Sequence, residues 1–285
     1  AGNVTASALR LQADSNEDQS GQIGGPDVSN PQPDENLNAL DVEVGILAAV
    51  SADGIYILST IDVIVELTGD VAIEWVNFNS TTSMVTDLSL SDLETTDQGS
   101  IKLRGASITI NEGDMDDVGV SAGGSGDVLL MGVFDPQVAG PLTAIEYNAA
   151  IRSGSGHISV MADGHLFGNA DLSTGGGTVL LENWSLGSGF IMLDNGTAIN
   201  SGNGNVRVIS HQQPQEIYLN QIIAGTGSVS LVAGRIFDNN GDANNVTAKN
   251  LRVETNSIGE GVFSPVETNV DTIAAIANLT FSIIE

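Results

Sequence analysis

The densest group of acidic residues in the chain lies in one short segment, Asn111-Glu-Gly-Asp-Met-Asp-Asp117. Carboxylate oxygens at this density are the ligands that Ca²⁺ takes in proteins. The segment therefore makes Asp114, Asp116 and Asp117 candidate Ca²⁺ ligands. The alternative interpretation is a solvated turn between two strands, because acidic side chains are mostly found exposed to water.

A second acidic segment, Asp238-Asn-Asn-Gly-Asp242, alternates oxygen donors in the manner of a calcium-binding loop. Asp238 and Asp242 are its candidate ligands. The segment lacks the distal glutamate that supplies two oxygens in an EF-hand loop. Its Asn-Gly pair is also an ordinary β-turn signal, so a plain turn is the alternative. Ca²⁺ is the only cofactor that the sequence suggests.

The residue types needed for catalysis are sparse or scattered. The three histidines, His157, His165 and His211, show no metal-ligand spacing, and we interpret them as surface residues. The chain has no cysteine to serve as a nucleophile. Glycine-rich segments such as Gly175-Gly-Gly177 precede no helical pattern and so do not predict a phosphate-binding loop. We therefore expect a protein without enzymatic activity.

The competing functional class is a carbohydrate-active β-helix enzyme of the polysaccharide lyase or glycosidase type. Glycosidases act through paired carboxylates, and the 36 acidic residues of this chain leave room for such a pair. Three or more carboxylates within one groove would favour this class.

Asparagine offers candidate modification sites. Six Asn-x-Ser/Thr sequences occur, at Asn3, Asn79, Asn183, Asn195, Asn245 and Asn278. A glycan at any of them requires an exporting cell with the modifying machinery. The alternative is chance occurrence in a chain rich in Asn and Thr.

The charge balance narrows the class of partner. The chain has 36 acidic and 8 basic residues, which gives a formal net charge of −28. Such a field repels nucleic acid and anionic membrane surfaces. No apolar run reaches the ~18 residues of a membrane-spanning helix, and no signal-peptide pattern opens the sequence. We expect an extracellular or cell-surface protein whose signal peptide is removed or lies upstream, with no nucleic-acid partner and no membrane insertion.

Short strands would have to position these residues. A glycine followed by a polar residue and alternating apolar positions recurs at intervals of 21 to 30 residues. The pattern starts at Gly69, Gly99, Gly126, Gly156, Gly177, Gly204 and Gly227. Alternation with a period of two is typical of half-buried strands, and helical patterns are nearly absent.

A repeat of this length with two or three short strands matches one coil of a parallel β-helix. We predict an all-β fold in which residues 1–285 form a single continuous β-solenoid of about 10–11 irregular coils. Val, Ile and Leu would point inward, and Asn and Gly would occupy the corners. The alternative is a tandem of β-sandwich domains.

A second, longer period relates the two ends of the chain. Asn3-Val-Thr-Ala-Ser-Ala-Leu-Arg-Leu11 aligns with Asn245-Val-Thr-Ala-Lys-Asn-Leu-Arg-Val253, 242 residues later. We interpret residues 1–58 and 243–285 as copies of one unit in a 242-residue repeat. The two copies are then expected to occupy equivalent places in the stack. The alternative is that any two coils of a β-helix look alike.

The repeated unit reads N-V-T-A-x-x-L-x-[LV], followed by (L/V)-(D/E)-x-x-V-x-x-(I/L)-A-A. This sequence pattern resembles the repeat regions of filamentous-haemagglutinin-like adhesins and related giant β-helical exoproteins of bacterial surfaces. The resemblance covers residues 1–58 and 226–285 best. It implies a right-handed parallel β-helix, export across the cell envelope, and a role in adhesion or surface structure.

These patterns together predict a rod-like repeat segment of an extracellular surface fibre. Inserted loops such as Gly21–Asn36 would display polar contacts, with host-surface or matrix glycans as partners. The last strand, Thr280-Phe-Ser-Ile-Ile284, is apolar, and an unpaired strand edge promotes association. We therefore expect head-to-tail stacking into filaments or continuation into further repeats.

Overall fold

The computed structural model of the protein describes residues 4–13, 20–26, 38–133, 143–185, 189–211, 215–259 and 265–285. These residues form strands, turns and loops. No helix within them is long and apolar enough to cross a membrane. Asn3 and most of the predicted loop Gly21–Asn36 lie outside the described residues. The prediction of an all-β fold is confirmed.

Almost all strands belong to one large sheet in which each strand pairs in parallel with strands one coil earlier and one coil later. The chain thus passes over three faces and returns to the first face one layer further along. The first face contains β2 (Gln22–Ile23), β4 (Gly54–Ser59), β9 (Ser100–Gly105), β12 (Val128–Gly132), β15 (Ile158–Ala162), β18 (Val179–Asn183), β21 (Val206–Ser210) and β24 (Ser228–Val232). The second face contains β5 (Val63–Val65), β10 (Ile108–Ile110), β13 (Thr143–Tyr147), β16 (His165–Gly168), β19 (Phe190–Leu193), β22 (Glu216–Leu219) and β25 (Arg235–Asp238). The third face contains β8 (Leu93–Thr95), β11 (Val118–Ala122), β14 (Ala150–Ser153), β17 (Leu172–Thr174), β20 (Ala198–Asn200) and β23 (Gln221–Ile223).

Longer strands bend around more than one face at the two ends of the solenoid. They are β1 (Val4–Gln12), β3 (Leu40–Ser51), β26 (Val246–Ile258) and β27 (Val266–Phe281), with the short β28 (Ile283–Ile284) beside β27. On the first face ten strands stack in one series, β3, β4, β9, β12, β15, β18, β21, β24, β26 and β27. This number agrees with the predicted 10–11 coils. The parallel β-helix is confirmed, and the tandem of β-sandwiches is wrong.

The core is a set of aliphatic ladders. On the first face one ladder consists of Ile55, Ile101, Val128, Ile158, Val179, Val206, Val229 and Leu251, each at most 2% exposed. Side chains with branched or compact shapes fit here because successive strands of a parallel stack lie only ~4.8 Å apart. Burial of each such side chain contributes about 1.5–3 kcal/mol.

The recurring glycines form a ladder of their own at the corner before the first face. A Cβ atom on Gly126 would lie 2.0 Å from the carbonyl oxygen of Gly99, and one on Gly156 would lie 2.1 Å from that of Gly126. Only glycine allows the backbone of one coil to approach the next this closely.

Gly69 is the exception among the seven predicted glycines. A Cβ atom there would meet no atom within 4 Å. The strand after it, β6 (Val71–Val76), does not join the solenoid but pairs antiparallel with β7 (Thr82–Asp87). The prediction of a coil strand after Gly69 is therefore wrong, and β4 takes that place on the first face.

Buried hydroxyl groups seal the same corner. The side chains of Thr95, Ser153 and Thr174 are at most 6% exposed. They donate hydrogen bonds to the carbonyl oxygens of Gly99, Gly126 and Gly156, over 2.6 to 2.8 Å. Each bond satisfies a backbone oxygen where the ladder turns, so the polar corner carries no unpaired acceptor at these positions.

The two copies of the long repeat pair their strands in the same register. Leu9 pairs with Leu47, and the aligned Leu251 pairs with Ile273. The copies nevertheless lie on different faces, because Leu47 stacks within the second face and Leu251 within the first. The expectation that the two copies occupy equivalent places in the stack is thus wrong, because their aligned residues lie on neighbouring faces of the coil.

Candidate metal centre and interaction surfaces

The structure gathers three carboxylates beside the antiparallel pair β6–β7, which we call the hairpin (residues 70–88). Oxygen atoms of Asp92, Asp114 and Asp116 all lie within 4.8 Å of one another. Asp92 directly precedes β8, whereas Asp114 and Asp116 belong to the turn between β10 and β11, one coil later. Stacking of Leu93 on Val120 brings the two segments together. We call this group the acidic cluster.

Asp92 differs from the other two members because its side chain is buried. It is 9% exposed, and its Oδ1 atom has no hydrogen-bond partner. Its Oδ2 atom accepts a hydrogen bond from the hydroxyl of Ser91 at 3.0 Å. Burial raises the pKa of Asp92 to about 7, and the neighbouring carboxylates of Asp114, Asp116 and Glu112 also raise it, against the hydrogen bond from Ser91.

A cavity of about 340 Å³ contains the cluster. Both chain segments that lead to the hairpin line it, through Leu67 on one side and Ser89, Leu90 and Ser91 on the other. Glu94 adds a fourth carboxylate, and Arg152 is the only basic residue among the lining residues. The site therefore concentrates negative charge on the outer side of the third face.

The backbone around the cluster is locally strained. Asp92, Met115 and Asp117 have φ angles of 64°, 74° and 62°, in the left-handed region that residues with a side chain rarely adopt. Strain of this kind collects at functional sites. Asp117, the third ligand predicted in this segment, is not a member of the cluster.

The second predicted Ca²⁺ site, Asp238 and Asp242, does not bring three carboxylates together among the described residues and stays a prediction. Within the described residues no other group of three His, Cys, Asp or Glu side chains brings its ligand atoms within 4.8 Å, so Asp238 and Asp242 belong to none. The Oδ1 atom of Asp238 instead accepts hydrogen bonds from the side chain of Asn245 and the backbone of Asn240, both at 2.9 Å. Its role in the fold is to order a corner.

The histidines do not form a site together. His157 and His211 are exposed; His157 accepts a hydrogen bond from the backbone of Thr178, and His211 contacts the carboxylate of Glu182. His165 is half-buried, with its ring centroid 4.1 Å from that of Phe190.

The candidate glycosylation sites fall into two groups. Asn79, Asn195 and Asn278 are exposed. Asn183 and Asn245 are fully buried, and their amide nitrogens donate hydrogen bonds to backbone carbonyls inside the solenoid. A glycan on either buried residue would displace these bonds. All of the sequons remain predictions.

The hairpin projects from the solenoid with every strand residue exposed. Val71, Ile73 and Trp75 lie on one of its faces, with Val85 paired opposite Ile73. Phe78, in the loop at the tip, is entirely exposed. The hairpin is thus an apolar surface held away from the core.

The chain was compared with protein-family models, curated proteins and solved structures, and nothing matches it in any of the three. The likeness to filamentous-haemagglutinin-like adhesins therefore rests on its sequence motifs and stays a prediction.

The sequence pointed to two members of the cluster and missed the third. Asp92 stands 22 positions before Asp114, which is too far for a motif. The signal that could have found it is the coil period, since residues about one period apart lie side by side in adjacent coils of a solenoid.

Proposed function

We propose that the chain is a rigid, non-enzymatic segment of an extracellular surface fibre that extends by strand pairing at its ends. The observation that carries this proposal is the open edge of β27. This strand pairs with β26 on one side. On its other side, among the described residues, only Val266 and Glu267 are paired, with β28.

The exposed part of this edge is apolar. Ile276, Leu279 and Phe281 are 60%, 79% and 51% exposed. An unpaired, apolar strand edge is a template for another strand. At the opposite end β1 pairs with β3 alone within the described part of the chain, so a second edge is available there.

Pairing of these two different edges is a head-to-tail contact. Such a contact does not close on itself and generates filaments. The same edge accepts a following coil whether that coil belongs to a later repeat or to another molecule. The cell-surface localisation and the likeness to large adhesins that the sequence predicts are consistent with this role.

Electron microscopy and sedimentation velocity test the proposal. We expect the protein to form rods that lengthen with concentration, and the double variant Leu279→Lys/Phe281→Lys to remain as single rods because lysine blunts a strand edge. The matched control, Val76→Lys/Met84→Lys, places the same charges on the hairpin and should leave rod length unchanged. Wild-type rods of one length at all concentrations would overturn end-to-end association.

The hairpin supplies an adhesive contact in this proposal. Its partner is a protein whose apolar patch is bordered by basic side chains, because residues 70–88 carry Asp70, Glu74 and Asp87 and no Lys or Arg. Cross-linking from a photoreactive group placed at residue 78 identifies this partner. Capture of a glycan by the wild-type hairpin, lost in Trp75→Ala, would replace the protein partner with the glycan class expected from the sequence.

One observation favours the enzyme class instead, namely the acidic cluster in its cavity. A glycosidase needs one carboxyl group protonated near neutral pH and another ionised, and Asp92 has a pKa of about 7. The enclosed Oδ1 atom of Asp92 argues against contact with a sugar. Release of reducing ends from acidic or neutral polysaccharides, abolished by Asp92→Asn, would establish the enzyme and overturn the fibre segment as the main function.

A further inference from the structure

The acidic cluster at the base of the hairpin combines converging carboxylates with an unsatisfied buried oxygen. Oδ1 of Asp92 is enclosed and has no hydrogen-bond donor. A buried acceptor without a partner destabilises a fold, and a buried carboxylate without a counter-charge does so more strongly. A positively charged group in the cavity would therefore stabilise the cluster.

We propose that Asp92, Asp114 and Asp116 bind a Ca²⁺ ion at the base of the hairpin. The three residues offer oxygen ligands within 4.8 Å of one another. Ca²⁺ holds its ligands at 2.3–2.6 Å, so two oxygens on one ion lie at most about 5 Å apart. One ion at the centre of the cluster is within reach of all three carboxylates.

The donor set selects the class of metal. All three ligands are carboxylates, without nitrogen or sulfur, which suits a hard cation and not zinc or copper. The cavity also contains Ser91 and Glu94, which add oxygen atoms toward the six to eight that Ca²⁺ takes. Mg²⁺ keeps most of its water and requires a small octahedral site, which a cavity of about 340 Å³ does not impose.

A water molecule or the Arg152 side chain is a less suitable partner for the cluster than a metal ion. A water molecule could donate to Oδ1 of Asp92 but would leave the repulsion between three carboxylates unchanged. Arg152 lines the cavity, yet among the described residues none of the cluster carboxylates forms an ion pair with it.

Binding would join two separate parts of the chain. Asp92 follows the segment that leads from the hairpin back to the solenoid. In this segment the carbonyl oxygen of Leu90 accepts hydrogen bonds from the backbone N–H and the hydroxyl of Thr68. Asp114 and Asp116 belong to the next coil. A shared ion therefore fixes the base of the hairpin to the solenoid, independently of whether the rod forms filaments.

Thermal unfolding in EDTA and in CaCl₂ tests the site, with isothermal titration calorimetry for the stoichiometry. At a free Ca²⁺ concentration 100-fold above Kd, we expect the melting temperature of the wild type to rise by about 5 °C or more. Asp92→Asn keeps the shape of the side chain and should lose this rise, while its melting temperature in EDTA stays equal to or above that of the wild type. Asp114→Asn/Asp116→Asn changes only exposed residues and should lose the rise as well.

Charge-matched controls separate the site from the acidic surface as a whole. Asp97→Asn/Asp271→Asn removes the same number of charges from exposed positions outside the cluster and should keep the full rise. A wild type that binds no Ca²⁺ and melts equally in EDTA and CaCl₂ overturns the proposal. An equal rise in the cluster variants assigns the effect to the surface and also overturns it, and an equal rise with MgCl₂ overturns the assignment to Ca²⁺.

Discussion

The carbonyl oxygen of Gly177 lies 1.8 Å from the position that a Cβ atom on Gly204 would occupy. The same close approach recurs between Gly204 and Gly227, at 2.2 Å. Strand pairing on either side holds these backbones in place, so neither coil can retreat from an added methyl group. The glycine ladder therefore permits the close spacing that strand pairing imposes on the coils.

Gly204→Ala tests this ladder. We expect the free energy of unfolding to fall by about 2 kcal/mol or more, because overpacking at a rigid position forces the backbone to shift. Gly69→Ala is the control, since a Cβ atom there meets nothing within 4 Å. Urea denaturation measures both, and similar losses in the two variants would contradict the close stacking.

Asn245→Ala removes a fully buried side chain whose nitrogen donates to two backbone carbonyls and to Asp238. Its oxygen accepts a hydrogen bond from the backbone of Glu267 at 3.0 Å. Loss of these hydrogen bonds leaves their buried partner groups without a hydrogen-bond partner. We expect the free energy of unfolding to fall by about 3 kcal/mol. The exposed Asn195→Ala should stay within about 0.5 kcal/mol of the wild type, and a comparable cost there would count against the buried network.

Burial lowers the pKa of His165 below its ordinary value. As the pH falls from about 7 to about 5, His165 is protonated near pH 6.5 in the unfolded chain but only at lower pH in the folded protein. Proton uptake therefore favours the unfolded state, and the free energy of unfolding falls. The raised pKa values of Asp92 and Asp163 act in the opposite direction. The difference between wild type and variant therefore isolates the histidine.

We expect His165→Phe, which extends the stack on Phe190, to lose less stability than the wild type over this pH range. Urea titrations at several pH values measure the difference. The same substitution at exposed His157 serves as the control. Parallel pH curves for wild type and His165→Phe would show that the residue does not resist protonation.

Replacement of residues 70–88 by an Asn-Gly turn removes the hairpin. Its strand side chains are all exposed and add nothing to the aliphatic ladders. We expect the free energy of unfolding to change by no more than about 1 kcal/mol, and binding of the hairpin's partner to disappear. Far-UV circular dichroism and urea denaturation measure the first effect; a collapse of the fold would mean that the hairpin supports the solenoid.

Much of the architecture could be predicted because each coil repeats one physical problem. Gly99, Gly126 and Gly156 mark the corner where coils touch, and the alternating apolar residues after them fill the interior. Gly69 begins the same pattern of a glycine, a polar residue and alternating apolar positions, but the strand that follows it belongs to an antiparallel hairpin. Alternation with a period of two describes any half-buried strand, so the pattern alone does not reveal the direction of its partner.

The candidate site was less accessible to sequence reasoning. Asp114 and Asp116 are conspicuous in a short acidic segment, whereas Asp92 is an isolated acid before a strand. Its burial results from the stacking of β8 on β11 and from the return of the hairpin. A property created by two chain segments meeting in space has no counterpart in the local sequence.

The hairpin shows that the coil tolerates a detour. Residues 54 and 100 are stacked neighbours although 46 positions separate them, whereas 27 positions separate the next pair on that face, residues 101 and 128. Strands before and after the detour pair in parallel on all three faces, so the stacking resumes after it. The corner between the second and third faces therefore accepts an inserted segment, and evolution or a protein engineer can exchange that segment while the scaffold beneath it keeps its pitch.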